Sequence, residues 1–513
     1  MSHGKPPAGL APFCFPVGLA YNLESSCVSS RRTDVQQRAV KQAIPNYSEE
    51  AKPDMQPAPR RNREQRIREI IGAARQVFQE DGYAGFATRR VADRVGITHG
   101  NLQYYFRTNE ELLRAALLTY VSQMMGDYTA IASRPGIGAA QRCTTLINRI
   151  FQNINETDLP KFMVEIWAFA WHETYVAELL NDMQTQFRGL FAKLLSELHP
   201  TLTSEECQVR AAVIGAQMDG MAMVASHGEY PGRDYIEFVR LTKRAVKMVV
   251  SASAQMLEGE APLRRSRTRD AHVSSDPQID GLRSDGYLQP GLPDLRARQS
   301  TEDAIYYRPT AQGKRREIKI NEIISTAANL LATEGYANFT LARVARELGI
   351  LPSALQNYFP TYDDLVRTTV GALGQAFMDR YAEIGKPSGK PALTRVCEIA
   401  AQCFKESCDP MVYRLWSEMF ALAQHSDTTR EVVASSYATY PRIYVDLIRE
   451  IDPSATAREC LARSTLITAL VDGATVLKFG AQNQPVSVDR VFELMMAMTA
   501  RIAQGRVATS NVA

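Results

Sequence analysis

Clusters of basic side chains are the first residues of this 513-residue chain with chemistry to offer. Arg60, Arg61, Arg63, Arg66 and Arg68 fall within nine residues, and Lys314, Arg315, Arg316 and Lys319 within six. Arg264, Arg265, Arg267 and Arg269 form a third cluster in a stretch without periodicity. Cationic groups at this density neutralise phosphate, the sequence-independent part of a grip on nucleic acid. A net charge of +3 is too small to carry that reading alone, and a charge run is most often a solvated face. The clusters gain meaning from the groups that follow two of them. After the first come Thr88, Arg89, Thr98, His99, Gly100, Asn101, Gln103, Tyr104 and Tyr105; after the second, Ser353, Ala354, Gln356, Asn357 and Tyr358. Guanidinium, amide and hydroxyl groups on a short helix can bond base edges in a major groove. Double-stranded DNA is therefore the expected partner.

Other chemistries find no support. There is no phosphate-binding GxxxxGK[ST], no GxGxxG after a strand, no HExxH and no Ser-His-Asp context, and Gly136-Ile137-Gly138 is a lone GxG in a turn. An enzyme is not expected. The eight cysteines (14, 27, 143, 207, 397, 403, 408 and 460) make no CxxC and no metal-ligand pairing with histidine. Reduced, mostly buried thiols of a cytoplasmic protein with no metal and no cofactor are expected. No run of 18 apolar residues suggests a membrane span. The apolar stretch near Phe13 to Leu23 has Pro12 and Pro16 and lacks a basic leader, so a secretory signal is not expected.

The elements that must hold these residues come as a repeat. Residues 67–115 and 320–368 align without a gap at an offset of 253, matching Gly82-Tyr83-Ala84 to Gly335-Tyr336-Ala337 and Gly96-Ile97 to Gly349-Ile350. The offset persists downstream, from Glu165 to Glu418, His172 to His425 and Asp219-Gly220 to Asp472-Gly473. A domain-sized unit of about 190 residues is thus present twice. Apolar residues recur at three- and four-residue steps, as in Ile67, Ile70, Ile71, Ala74, Val77 and Phe78, so both copies are expected to be all-α. Pro135-Gly136, Pro160, Pro200 and Pro231-Gly232 punctuate the first; Pro387, Pro410 and Pro453 punctuate the second. The spacing predicts a disordered tail over 1–59, heads at 60–110 and 314–363, larger helical domains at 111–255 and 364–506, a flexible linker over 256–313 and a short tail from 507.

Within each head the first helix ends at a glycine, Gly82 or Gly335, able to adopt a left-handed conformation. The pairs Tyr83, Phe86 and Tyr336, Phe339 supply a small core. A short helix follows, with Val91-Ala92 or Val344-Ala345 facing inward, and Gly96 or Gly349 makes a tight turn. Thr98 is placed to cap the next helix, whose inner face is Leu102 and whose end is Tyr105-Phe106.

The stretches "IIGAARQVFQEDGYAGFATRRVADRVGITHGNLQYYFRTNEELLRA" and "IISTAANLLATEGYANFTLARVARELGILPSALQNYFPTYDDLVRT" resemble the TetR family of bacterial repressors. The resemblance implies a three-helix helix-turn-helix in each copy, followed by a helical ligand-binding and dimerisation domain. "EIWAFAWHE" resembles the betaine-regulator sensor type. Departures occur where the family places phosphate contacts: Gln103 and Gln356 replace a tyrosine, and Asn109 and Tyr362 replace a lysine. Copy one has Thr88-Arg89 where the tetracycline repressor has a base-reading pair; copy two has Leu341-Ala342, and Pro352 in its recognition helix. Residues 61–107 carry nine basic and five acidic side chains against six and four over 314–360, so copy one is expected to hold DNA more tightly.

The resemblance also implies an unknown small-molecule effector in a sensor cavity. Candidate lining residues are Phe162, Glu165, Trp167, Phe169, Trp171 and His172 in copy one, and Trp416, Glu418, Phe420 and His425 in copy two. An aromatic stripe at helical spacing is more often plain core. The last two helices of each copy, 205–226, 235–256, 456–479 and 488–502, are expected to form a four-helix dimerisation bundle, giving an intrachain pseudo-dimer or a homodimer. A ligand-released repressor is the leading expectation; the alternative is a partner-binding adaptor whose second copy has lost DNA recognition.

Overall fold

The computed structural model describes residues 58–227, 232–253, 314–479 and 486–507. Nearly all of both expected tails, the linker, the 264–269 arginine cluster, Cys14 and Cys27 lie outside these residues. Every regular element among the described residues is helical. Copy one comprises α1 (Ala58–Gly85), α2 (Thr88–Val95), α3 (His99–Tyr105), α4 (Asn109–Ala132), α5 (Ala139–Glu156), α6 (Leu159–Phe169), α7 (Thr174–Leu198), α8 (Ser204–His227) and α9 (Gly232–Ser251). Copy two comprises α10 (Lys314–Glu334), α11 (Leu341–Glu347), α12 (Pro352–Gln356), α13 (Tyr362–Gly385), α14 (Ala392–Cys408), α15 (Pro410–His425), α16 (Asp427–Thr439), α17 (Arg442–Ile451), α18 (Ala457–Asp472), a 3₁₀ turn (Gly473–Lys478) and α19 (Val488–Ala503).

The expected turn residues stand between or at the starts of helices, apart from Pro231, which lies outside the described residues. Pro160 and Pro410 open α6 and α15, where a missing N–H costs nothing. Two breaks depart from the expected pattern. Pro441 divides α16 from α17 where copy one runs the single helix α7, and the helix expected over 456–479 gives way to a 3₁₀ turn at Gly473. Both breaks are in copy two.

The two copies pack on each other within the one chain, through α8 and α9 of copy one against α18, the 3₁₀ turn and α19 of copy two. Two glycines permit the contact. A Cβ on Gly220 would collide with the backbone carbonyl of Ala469, and one on Gly473 with that of Ala216. The matched Asp-Gly pairs are thus points where two helix backbones touch. Ala457–Lys478 is long and apolar enough to cross a membrane, but 83% of its apolar window is buried inside the protein. Among the described residues Cys143, Cys207, Cys397, Cys403 and Cys460 are buried, Cys408 is exposed, and no disulfide joins them.

Candidate functional site

Each head is built from local signals. Gly82 and Gly335 take φ of +69° and +78°, stopping the first helix, and Gly96 and Gly349 take +71° and +66° at the turn between the short helices. Side chains with a Cβ rarely adopt this region. Thr98 caps α3 by accepting the Asn101 N–H at 3.2 Å. Val91, Ala92 and Leu102 are buried, as are Val344, Ala345 and Leu355. With the inner face committed, Arg89, Thr98, His99, Gly100, Asn101, Gln103 and Tyr104 are exposed, while Thr88 and Tyr105 are half-buried. Thr88 Oγ1 lies 3.1 Å from His99 Nε2, tying α2 to α3. Asn109 is spent internally: its side chain accepts the Thr88 N–H and donates to the Phe86 carbonyl.

The second head is built more sparsely. Its α12 has five residues and no side-chain cap, because Leu351 stands where copy one has Thr98. Ser353, Gln356 and Asn357 are exposed; Ala354 and Tyr358 are half-buried. Arg315 is exposed, whereas Arg316 stacks over the Tyr358 ring and donates to the Asn357 carbonyl at 3.0 Å. Tyr362 packs against Phe339, and burial pushes its hydroxyl up to about 12. Arg63 is exposed; the side chains of Arg60, Arg61 and Lys314 lie outside the described residues.

The structure places four of the expected effector-lining residues elsewhere. Glu165 and Glu418, each 1% exposed, form a crossed clamp between the copies. Glu165 Oε2 accepts the backbone N–H of Tyr83 at 3.1 Å and the hydroxyl of Tyr336 at 3.2 Å, while Oε1 meets His425 Nε2 at 2.7 Å. Glu418 mirrors it, accepting the Tyr336 N–H and the Tyr83 hydroxyl, both at 2.8 Å, and meeting His172 Nε2 at 2.8 Å. The Tyr83 and Tyr336 rings meet edge to face at 4.6 Å, so these tyrosines join the copies as well as packing in the core. Burial raises the Glu165 carboxyl against the bonds from His425, Tyr83 and Tyr336 that lower it. Gly82 and Gly335 are required a second time here: a Cβ on either would sit 2.5 Å from the histidine of the opposite copy.

The aromatic candidates divide. Phe162 packs on Phe78 and Tyr120, Phe169 stacks on Tyr83, and Trp167 is buried. Trp171 lies between the copies, against Tyr413 and beneath the Arg414 guanidinium. Trp416 and Phe420 line a cavity of about 50 Å³ in copy two, with Phe377, Tyr437, Tyr440 and Asp472, and with Met223 of copy one. Glu406 also borders it, held by Arg380, Tyr381 and Gln402. Sequence reading passed over Cys403, Glu406, Tyr381 and Tyr440 in this wall. Arg395, Glu398, Gln402 and Glu406, a polar stripe at three- and four-residue steps along α14 and buried throughout, were the available signal.

Residues 70–116 and 323–369 each match the family of bacterial regulatory proteins, tetR family, and residues 392–504 match the C-terminal domain of BetI-type transcriptional repressors. That second match falls on copy two, whereas "EIWAFAWHE" lies in copy one. The HTH-type transcriptional regulator BetI of Escherichia coli O17:K52:H18 (strain UMN026 / ExPEC) is 26% identical over 166 residues, 31% of this chain and 82% of that protein. The same figures hold for BetI of Escherichia coli strain K12. A solved chain from Pseudomonas aeruginosa PAO1, described as a transcriptional regulator, aligns over 36% of this chain and 90% of its own at 14% identity, with a TM-score of 0.31. With helix-turn-helix heads, helical domains and a repeated family match on one polypeptide, this chain belongs to the TetR family of transcriptional regulators and carries the family's unit twice in tandem.

Proposed function

We propose that the chain is a cytoplasmic, ligand-responsive repressor that supplies both reading heads of an operator complex from one polypeptide. In this reading the heads are residues 60–110 and 314–363, and residues 111–255 and 364–506 sense a small apolar or amphipathic molecule. The observation that carries it is the packing of the two copies in cis: each chain already has the paired heads that helix-turn-helix dimers bring to two half-sites. The cavity in copy two supports a ligand, which acts only by favouring the state that releases DNA. The differing recognition residues, His99, Gly100 and Asn101 against Pro352, Ser353 and Ala354, call for unequal half-sites.

The first head carries most of the affinity, because Arg89 is exposed on α2 while Ala342 occupies the matching place in copy two. Arg89→Ala is expected to weaken binding to a duplex selected from random DNA by about 1–3 kcal/mol, and to relax preference at one base pair. A larger change from Ala342→Arg would reverse the ranking. One observation favours a second reading, in which copy two serves a protein partner: its recognition helix is short, uncapped and led by Leu351, which is 71% exposed. A salt titration separates the two, since a chain gripping phosphates through both heads loses affinity more steeply as salt rises than one gripping through the first head alone.

A further inference from the structure

The two sensor domains share a fold but differ in what lines the same place. Cys403, Ser407, Ser436 and Tyr440 border the cavity of copy two. At the repeat offset these become Ile150, Ile154, Met183 and Phe187. Ile150, Ile154 and Met183 are buried at 3–5% exposure, so in copy one larger apolar side chains fill this part of the place, beside the hydrogen-bonded Gln184–Asp219 pair. Gly374, open to the cavity, corresponds to the buried Val121.

The walls differ as well. Both helix breaks that set copy two apart lie at the cavity. Tyr440, a lining residue, directly precedes Pro441, and Asp472 and Thr475, also lining, flank the switch from α18 to the 3₁₀ turn. The copy-one counterparts α7 and α8 run unbroken. A 3₁₀ segment or a proline break interrupts the regular hydrogen-bond ladder and marks a place where a helix can move. Movement is needed, because about 50 Å³ holds a few waters, whereas a cavity of about 150 Å³ admits a benzene-sized molecule. An occupant must push these walls apart.

A further wall of the cavity touches the other half of the molecule. Helix α15 presents Trp416 and Phe420 to the cavity and carries Glu418 between them. Glu418 holds the Tyr83 hydroxyl, and Tyr83 follows Gly82, the non-helical joint from which α2 and α3 extend. The α8 backbone touches the 3₁₀ turn at Gly473 as well.

We propose that each chain reads one effector, in the cavity of copy two, and reports it to the reading head of copy one through Glu418 and Tyr83. The ligand has a small aromatic or aliphatic body and a hydrogen-bond donor for the Asp472 side of the cavity. This rests on the ligand-responsive reading above. It turns the duplication into a division of labour, with a sensor in one copy and the stronger reader in the other.

Full-length crystals soaked in 5-bromoindole locate the site by the bromine anomalous signal. One peak per chain is expected, between Trp416 and Asp472, and it is lost in Gly374→Val and in Ser436→Met, which install the copy-one residues. A comparable peak beside Val121, or no peak at all, overturns the single site. The route is read separately on duplex affinity. Gly374→Val is expected to change it at least threefold in the wild-type background and less than 1.5-fold when combined with Tyr83→Phe or with Glu418→Gln. An equal effect in all three backgrounds overturns the route. A wild-type chain that takes one bromoindole and binds no duplex sinks the regulatory reading, and the route with it, while the single site stands.

Discussion

Gly220→Val should split the molecule at its internal joint. The substituted Cβ would have to occupy the space of the Ala469 carbonyl, and neither helix backbone can give way without separating α8 from α18. Overpacking a well-packed core costs about 1–3 kcal/mol and more when backbone must move; a clash with backbone belongs at or above the top of that range. Gly473→Val, against the Ala216 carbonyl, is expected to match it. Wild-type chain in light scattering should run near its own mass of 57.1 kDa, because the copies satisfy each other. The glycine variants should expose the apolar faces of α8, α9, α18 and α19, and so unfold in two steps or associate to twice that mass. Wild-type chain at twice its mass, with a palindromic selected site, would mean that the copies pair between chains. Unchanged denaturation of Gly220→Val would mean that the two backbones do not touch in solution.

The residues beside these glycines set a pH dependence. Asp219 accepts a hydrogen bond from Gln184 Nε2 at 3.1 Å, and Asp472 one from the Tyr437 hydroxyl at 2.7 Å. Burial dominates in both, pushing each carboxyl up to about 7. A buried acid whose folded value is raised binds its proton more tightly in the folded state. Its contribution to stability is therefore fully present below about pH 4, the ordinary aspartate range, and is lost as the pH rises through 7. With 1.36 kcal/mol per unit, the loss is on the order of 4 kcal/mol for each group at pH 8, as an upper figure. Denaturant midpoints measured from pH 5 to pH 8 should fall for the wild type. Asp219→Asn and Asp472→Asn keep an oxygen for Gln184 or Tyr437 and carry no charge, so each should flatten that fall, and the double variant should flatten it further. A wild-type midpoint that rises over this interval would contradict protonated carboxyls in the core.

Much of each head was legible because it is written in local terms. Gly82, Gly96, Gly335 and Gly349 take positive φ where the sequence calls for a stop or a turn, and Thr98 caps the helix that it precedes. Leu102 and Leu355 are buried because three- and four-residue spacing alone fixes which side of a helix faces inward. The constant offset of 253 shows the duplication in the sequence itself.

Tertiary structure decided what those residues do for the whole. In the sequence Glu165 and Glu418 are single acids on apolar helices, and His172 and His425 stand near the ends of those helices, all equally suited to lining a cavity. Their partners stand 246 and 260 residues away along the chain, at a distance no periodicity encodes. The Asp-Gly pairs were visible as a motif, but the reason for glycine is a backbone from the other copy. Pro441 and the 3₁₀ turn at Gly473 set apart two helical domains that the offset made look alike. Local hydrogen bonding and helical spacing determine each element from its own residues. The clamp and the joint exist only once two copies dock, because docking is chosen by the shapes of whole faces and no short stretch of sequence holds that information.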